Sequence, residues 1–245
     1  RARQDPIQRY ALFIDEINRG NISRIFGELI TLIEADKRAW WDEEGHLVDG
    51  MEITLPYSGE RFGVPKNLDI YATMNTADRS IALMDAALRR RFRFIELMPE
   101  PKQITGNQGD GYIPDGEGGL LSLRDLLSAI NLRLRYLLHR DQTFGHAYFM
   151  EVKDIDSLRH AMVYDIIPML AEYFYDDWQQ IRRVLADDTA PAEHQIITRK
   201  LLDPGLLFAG SDVDMPEKPD FRVKQPGDIT PDALRKIYES LEMPA

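Results

Sequence analysis

The sequence contains no cysteine, which excludes disulfides, thiolate metal sites and a cysteine nucleophile. With no signal-peptide pattern at its start, this fits a cytoplasmic protein, although a cysteine-free chain is equally compatible with secretion. No apolar run approaches the ~20 residues that a bilayer requires, so no membrane span is expected. An excess of positive charge is also missing: the formal net charge is -11. A general grip on nucleic acid phosphates is therefore not expected of these residues, and any DNA contact should be indirect or belong to another domain. The first residues, Arg1 to Arg9, are polar and include no initiator methionine, so the chain reads as part of a longer protein.

What is present is the composition of a soluble globular protein, with 44% hydrophobic and 29% charged residues over 245 positions. That length accommodates one large domain or two small ones. Tyr10 to Ile14 is a short apolar run closed by Asp15 and Glu16, the pattern of a strand buried on both faces with a polar end. From Ile22 the apolar positions Ile25, Phe26, Leu29, Ile30 and Ile33 follow a helical period, predicting one amphipathic helix. Met51 to Leu55 and Arg61 to Val64 flank a Tyr-Ser-Gly-Glu turn and predict a hairpin. Leu68 to Met74 is a second buried strand, again ending in polar residues. A short helix through Leu88 and a third strand at Phe92 to Leu97 complete an α/β pattern with a parallel sheet. In such sheets ligands gather at the C-terminal ends of the strands.

Residues 105–119 hold six glycines and read as a flexible linker. Ser122, with Asp125 three residues on, is placed to cap a helix carrying Leu123, Leu126, Leu127, Ile130 and Leu134. Further helix is expected over 156–186, with Pro168 as a kink or boundary, giving a helical subdomain over 120–187. Pro191, Pro204, Pro216, Pro219, Pro226 and Pro231 punctuate the stretch 188–245, which predicts an extended tail ending in one short helix capped by Thr230 and opened by Pro231.

Three clusters bear chemistry. An acidic pair at a strand end, Asp15 and Glu16, can divide the work of phosphoryl transfer: one carboxylate holds a magnesium ion through its water shell, and the other orients and activates the attacking water. The same pair can equally cap the segment that follows. Asn75, at the end of the next core strand, offers a neutral amide to a water and a terminal phosphate without adding charge; it is also a common turn residue. Arg89, Arg90 and Arg91 can neutralise a phosphoryl group of a neighbouring subunit, or simply complete a helix C-terminus.

ALFIDEINRGN (Ala11 to Asn21) resembles the Walker B region of AAA+ proteins, and TMNTADRS (Thr73 to Ser80) resembles the sensor 1 segment of the McrB family. The resemblance continues through ALRRRFRFIEL, FGHAYF and DIIPMLAEYFYDD, covering roughly residues 10–187. It implies a partial AAA+ P-loop NTPase core over 1–104 followed by a helical lid. It also implies GTP or ATP as substrate with Mg2+, a homo-oligomeric ring taken as a hexamer, and an McrC-like nuclease subunit as partner. The roles implied are Asp15 for magnesium, Glu16 for the catalytic water, Asn75 as sensor 1, and Arg89 or Arg90 as the finger reaching the adjacent protomer. Asp78 and Arg79, inside the same signature, would contribute to the nucleotide site and link sensor 1 to the partner subunit or the neighbouring protomer, with a local salt bridge fixing the turn as the alternative. His146, in the lid, is placed near the nucleotide by the same resemblance, with a packed histidine as the alternative.

One departure stands out. No Gly-Lys dipeptide occurs in the chain, so the GxxxxGK[ST] loop that cradles phosphates is not among these residues. The chain alone is expected to bind nucleotide poorly. Two other readings follow: a MoxR-like ATPase, which shares part of the DEINR string, or a catalytically silent protein that docks into a ring.

Overall fold

In the computed structural model, residues 1–75, 86–208, 216–239 and 241 are described. They fall into two units, 1–96 and 97–245.

In the first unit, strand β1 (Tyr10–Ile14) pairs in parallel with β6 (Leu68–Ala72), in a register that sets Tyr10 opposite Leu68 and Ile14 opposite Ala72. The intervening chain holds two short antiparallel pairs, β2 (Trp40–Trp41) with β3 (Leu47–Asp49) and β4 (Ile53–Thr54) with β5 (Arg61–Phe62). The second is the expected hairpin. Arg38 fastens this insertion to the sheet, donating from Nε to the Ile33 carbonyl at 3.1 Å and from Nη1 to the Leu68 carbonyl at 2.8 Å.

Three expectations for this unit need correction. The helix predicted from Ile22 to Ile33 stops after five residues, α1 (Ile22–Phe26), and continues as a 3-10 segment, Gly27–Ile33. Gly27 adopts a left-handed φ of 50°, a conformation glycine reaches at no steric cost and one that ends an α-helix. No strand forms at Phe92 to Leu97; the chain is irregular there and Ile95 is 76% exposed. Among the described residues no strand pairs with it, and an extended segment without a ladder partner gains no backbone hydrogen bonds. Strand β1 is also less buried than expected, with Phe13 76% exposed and stacked on Tyr71 of β6 at 5.3 Å between ring centroids.

In the second unit α3 (Leu123–Leu137) is the central helix. Ser122 caps it, accepting from the Asp125 N–H at 3.2 Å. Around α3 pack α5 (Ile155–Ala161), α6 (Ile167–Tyr173), α7 (Trp178–Val184) and α9 (Pro231–Glu239), burying Leu127, Ile130, Leu134, Leu158, Ile166 and Leu170 in a single core. Pro168 lies in the first turn of α6, directly after a π-helical turn, Met162–Ile166. The chain thus accommodates the missing proline N–H by widening the helix ahead of it.

The Gly-rich segment is not a loose linker. It contains β7 (Tyr112–Pro114), which pairs with β8 (Leu120–Ser122), and Asp115 accepts from the Glu117 and Gly119 N–H groups at 2.8 Å each to close the hairpin. The glycines are there for backbone shape: Gly116 and Gly118 take φ of 82° and 96°. The described residues of 188–245 likewise form no extended tail. Strands β9 (Ile197–Leu202) and β10 (Lys218–Val223) form an antiparallel pair, and α9 buries Ala233, Leu234 and Ile237 in the helical core. Among the described residues these prolines sit at or near element ends, where they are tolerated; Pro231 opens α9, and Thr230 accepts from the Ala233 N–H at 3.2 Å, as the sequence suggested. A buried polar knot holds these parts together. Asp187, fully buried, accepts from the Ile196 and Ile197 N–H groups at 2.9 and 2.7 Å and from Lys236 Nζ at 2.7 Å.

Candidate functional site

The parallel pairing of β1 and β6 brings their C-terminal ends side by side. Asp15 and Glu16 leave the end of β1, while Thr73 and Asn75 leave the end of β6. The two exits are cross-bonded. The Thr73 N–H donates to the Ile14 carbonyl at 3.0 Å, and the Ile17 N–H donates to the Thr73 carbonyl at 2.9 Å. The Thr73 hydroxyl donates to Asp15 Oδ1 and accepts from the Glu16 N–H at 3.0 Å. One step further, Asn18 Nδ2 donates to the Asn75 carbonyl at 3.1 Å. Asn18 is buried, so this bond fixes the backbone of the expected sensor residue from below.

Glu16 occupies the left-handed region, φ 48° and ψ 49°, which costs a residue with a Cβ about 1–2 kcal/mol. Its carboxylate is exposed and ion-paired with Arg19 Nε. Asp15 is exposed as well. Pairs at such exposure contribute little to stability, so they leave the carboxylates available for other partners.

The floor of this end is apolar. Ile17, Ile22 and Leu88 are buried together, with Ile14, Phe26, Ile30, Met74 and Phe92 packed around them. Leu88 belongs to α2 (Ala86–Arg89), so the same cluster that seats the strand ends also seats the base of the arginine run. That run divides. Arg91 is only 8% exposed at its side chain and ion-pairs with Glu34, a structural role. Arg89 and Arg90 are exposed, and the Arg89 guanidinium lies 5.6 Å from the centroid of the Phe94 ring. Asp78 and Arg79 lie outside the described residues. His146 belongs to the second unit, where its Nδ1 accepts from the Glu100 N–H at 3.2 Å.

Sequence reasoning thus finds Asp15, Glu16 and Asn75, and the structure brings them to one end of the sheet. It passes over Thr73 and Asn18, both inside the quoted strings. The string carries no signal for either residue, because Thr73 falls opposite Asp15 only through the register of β1 against β6.

Asp15 fits a magnesium ion: a single exposed carboxylate supplies hard oxygen, and Mg2+ typically keeps several waters and takes few protein ligands. Elsewhere, Asp42, Glu44 and His46 place their ligand atoms within 4.8 Å of one another. All three are exposed on the β2–β3 turn, where Asp42 accepts from the His46 N–H at 2.7 Å and so shapes the turn. Among the described residues, no helix is long and apolar enough to cross a membrane.

Comparison with known proteins gives a family match within each unit. A family model described as an AAA domain of the dynein-related subfamily matches residues 2–92, and the model of the McrB alpha-helical lid domain matches residues 122–182. The chain is 36% identical over 188 residues to the type IV methyl-directed restriction enzyme EcoKMcrB subunit of Escherichia coli (strain K12), an alignment covering 72% of this chain and 39% of that protein. It is 27% identical over 156 residues to the type II restriction enzyme BsuMI component YdiS of Bacillus subtilis (strain 168), covering 62% of this chain and 45% of that protein. The chain therefore spans less than half the length of these relatives. With an AAA core segment followed by an McrB lid, and with this relative, the chain belongs to the McrB family of AAA+ proteins.

Proposed function

We propose that this chain supplies the water-activating half of a nucleoside triphosphatase motor, working in a ring that drives a nuclease subunit in a restriction system. The observation that carries this reading is the convergence of Asp15, Glu16 and Asn75 at the adjoining ends of two parallel strands. The two relatives, both components of restriction enzymes, point to the biological setting. The McrB lid match favours this reading over a MoxR-like remodelling ATPase.

In the proposed chemistry Asp15 would hold Mg2+ through its water shell, and the bound ion would supply positive charge to the phosphate oxygens of GTP or ATP. Glu16 accepts the proton of the attacking water. To do so its carboxylate exchanges Arg19 for that water, which an exposed pair permits at small cost. Asn75 hydrogen-bonds the water and the terminal phosphate, a neutral donor that does not compete with the carboxylates. Arg89 and Arg90, exposed at the end of α2, reach the site of the adjacent protomer and offset the charge that spreads over the transferred group.

The phosphate-gripping loop must come from residues other than these, so calorimetric titration of this chain alone with GTP or ATP and Mg2+ should be flat. A micromolar dissociation constant for either would overturn the division of labour. When the chain is joined to a phosphate-binding half, Glu16→Gln should abolish turnover and leave nucleotide binding largely intact, because the amide keeps the shape and cannot take a proton. Near-normal turnover in that variant would remove Glu16 from the reaction.

A further inference from the structure

Thr73 makes four hydrogen bonds to the segment Ile14 to Ile17, two from its backbone and two from its hydroxyl. The backbone pair continues the ladder beyond β6 and would survive any substitution that keeps the strand extended. The hydroxyl pair is different. A hydroxyl has one proton and two lone pairs. Here the proton is committed to Asp15 Oδ1 and a lone pair receives the Glu16 N–H at 3.0 Å. A single side chain therefore fixes one oxygen of Asp15 and the backbone of Glu16 together.

Both effects bear on residues that need fixing. Glu16 sits at φ 48°, a conformation that a non-glycine residue abandons unless its neighbours hold it. If the Glu16 backbone relaxed into the right-handed or extended region, its side chain would leave the strand end from a different direction. Asp15 is exposed, so burial does not select its rotamer. With Oδ1 occupied by the hydroxyl, Oδ2 has no hydrogen-bond partner among the described residues and is the oxygen left for a cation's water shell.

We propose that Thr73 is a positioning residue for the acidic pair: its hydroxyl sets the Asp15 carboxylate for the magnesium water shell and locks Glu16 in the left-handed turn that aims the water-activating carboxylate. This rests on the roles of Asp15 and Glu16 proposed above. It also gives the sensor strand a direct mechanical link to those carboxylates. The residue that orients them lies two positions before Asn75 on the same exit from β6, so a shift of Asn75 along the strand direction would reach Asp15 and Glu16 through this hydroxyl as well as through the backbone bonds of Thr73.

Thr73→Val preserves the branched shape, suits an extended backbone and removes both hydroxyl bonds; Thr73→Ser restores a hydroxyl on a smaller side chain. In this chain, amide hydrogen exchange read by NMR should show the Glu16 N–H exchanging at least tenfold faster in Thr73→Val than in the parent, and recovering in Thr73→Ser. In the hydrolysing protein that joins this chain to a phosphate-binding half, Thr73→Val should raise the Mg2+ concentration for half-maximal turnover and lower kcat. Outer-shell partners of metal ligands typically carry about 10- to 100-fold in affinity or activity. Thr73→Ser should recover most of both. Should Thr73→Val fold poorly, Thr73→Ala against Thr73→Ser makes the same comparison. Unchanged Glu16 exchange overturns the proposal. So does faster exchange with Mg2+ dependence and kcat within twofold of the parent, in a preparation where Glu16→Gln is inactive. Activity in Glu16→Gln itself would instead remove the premise, the role of Glu16.

Discussion

Replacing Asp187 with alanine should cost the 97–245 unit most of its stability. The carboxylate is fully buried between the end of α7 and the start of β9, where it accepts from two backbone N–H groups at 2.9 and 2.7 Å and from Lys236 Nζ at 2.7 Å. The alanine leaves both amides without an acceptor, at about 1–3 kcal/mol for each buried group. It also leaves an ammonium without its counter-charge, and breaking one side of a buried pair costs about 3–5 kcal/mol. These costs overlap, because Lys236 retains its bond to the Leu185 carbonyl at 2.8 Å and can lose its proton. Burial already pushes the Lys236 ammonium below its ordinary value, Asp187 partly offsets this, and removing Asp187 lets it fall further. An expected loss of about 4–6 kcal/mol is a large share of the ~5–15 kcal/mol that holds a domain together. Urea unfolding followed by Trp178 fluorescence reports on this unit, since the other two tryptophans, Trp40 and Trp41, lie in the 1–96 unit. Asp187→Asn, which keeps one acceptor, should fall between the parent and Asp187→Ala. A loss below about 1 kcal/mol in Asp187→Ala, within the range of an ordinary hydrogen bond, would refute the reasoning.

The arginine run should separate by role. Arg91→Ala removes the partner of Glu34 beside the small core and should lower the stability of the 1–96 unit by about 1.5–3 kcal/mol in chemical denaturation, whereas Arg89→Ala and Arg90→Ala, at exposed positions, should leave it within about 0.5 kcal/mol. Acid should loosen the second unit partly through Asp115, whose carboxyl is held below its ordinary 3.8 by the Glu117 N–H first, and then by the Gly119 N–H and Arg235. A depressed carboxyl stabilises the fold fully above its unfolded value and loses that contribution as pH falls through the folded value. The melting temperature of Asp115→Asn should therefore be lower than the parent's near neutrality and converge on it below pH 3.8; parallel curves would contradict this.

Short-range signals carried much of the fold. Ser122 and Thr230 cap the helices they precede, and the acidic pair sits at a strand end because a buried run must stop where polar residues begin. The sequence signals failed where glycine and proline serve tertiary structure. The glycines of 105–119 shape a hairpin whose tightness depends on Asp115. Prolines between 188 and 231 mark the edges of β9, β10 and α9, whose pairing and burial are long-range events that no local window records. Gly27 gave no warning because its apolar neighbours keep a helical period through a 3-10 segment. At the site, residue types were readable and hydrogen bonds were not: nothing in the string distinguishes the Thr73 hydroxyl from any other threonine until the register of β1 against β6 places it opposite Asp15.

The central claim is a composite site, with Glu16 from one protomer and Arg89 or Arg90 from the next. It is tested most directly by mixing two inactive proteins, both joined to a phosphate-binding half. An Arg89→Ala, Arg90→Ala protomer retains Glu16, and a Glu16→Gln protomer retains both arginines. Hydrolysis measured across mixing ratios should be near zero for each protein alone and should rise to a maximum in the mixtures, since alternation around a ring places an intact carboxylate beside an intact guanidinium. Mixtures that stay inactive at every ratio, with co-assembly confirmed, would contradict it, as would a double-alanine protein that hydrolyses nucleotide at the parent rate.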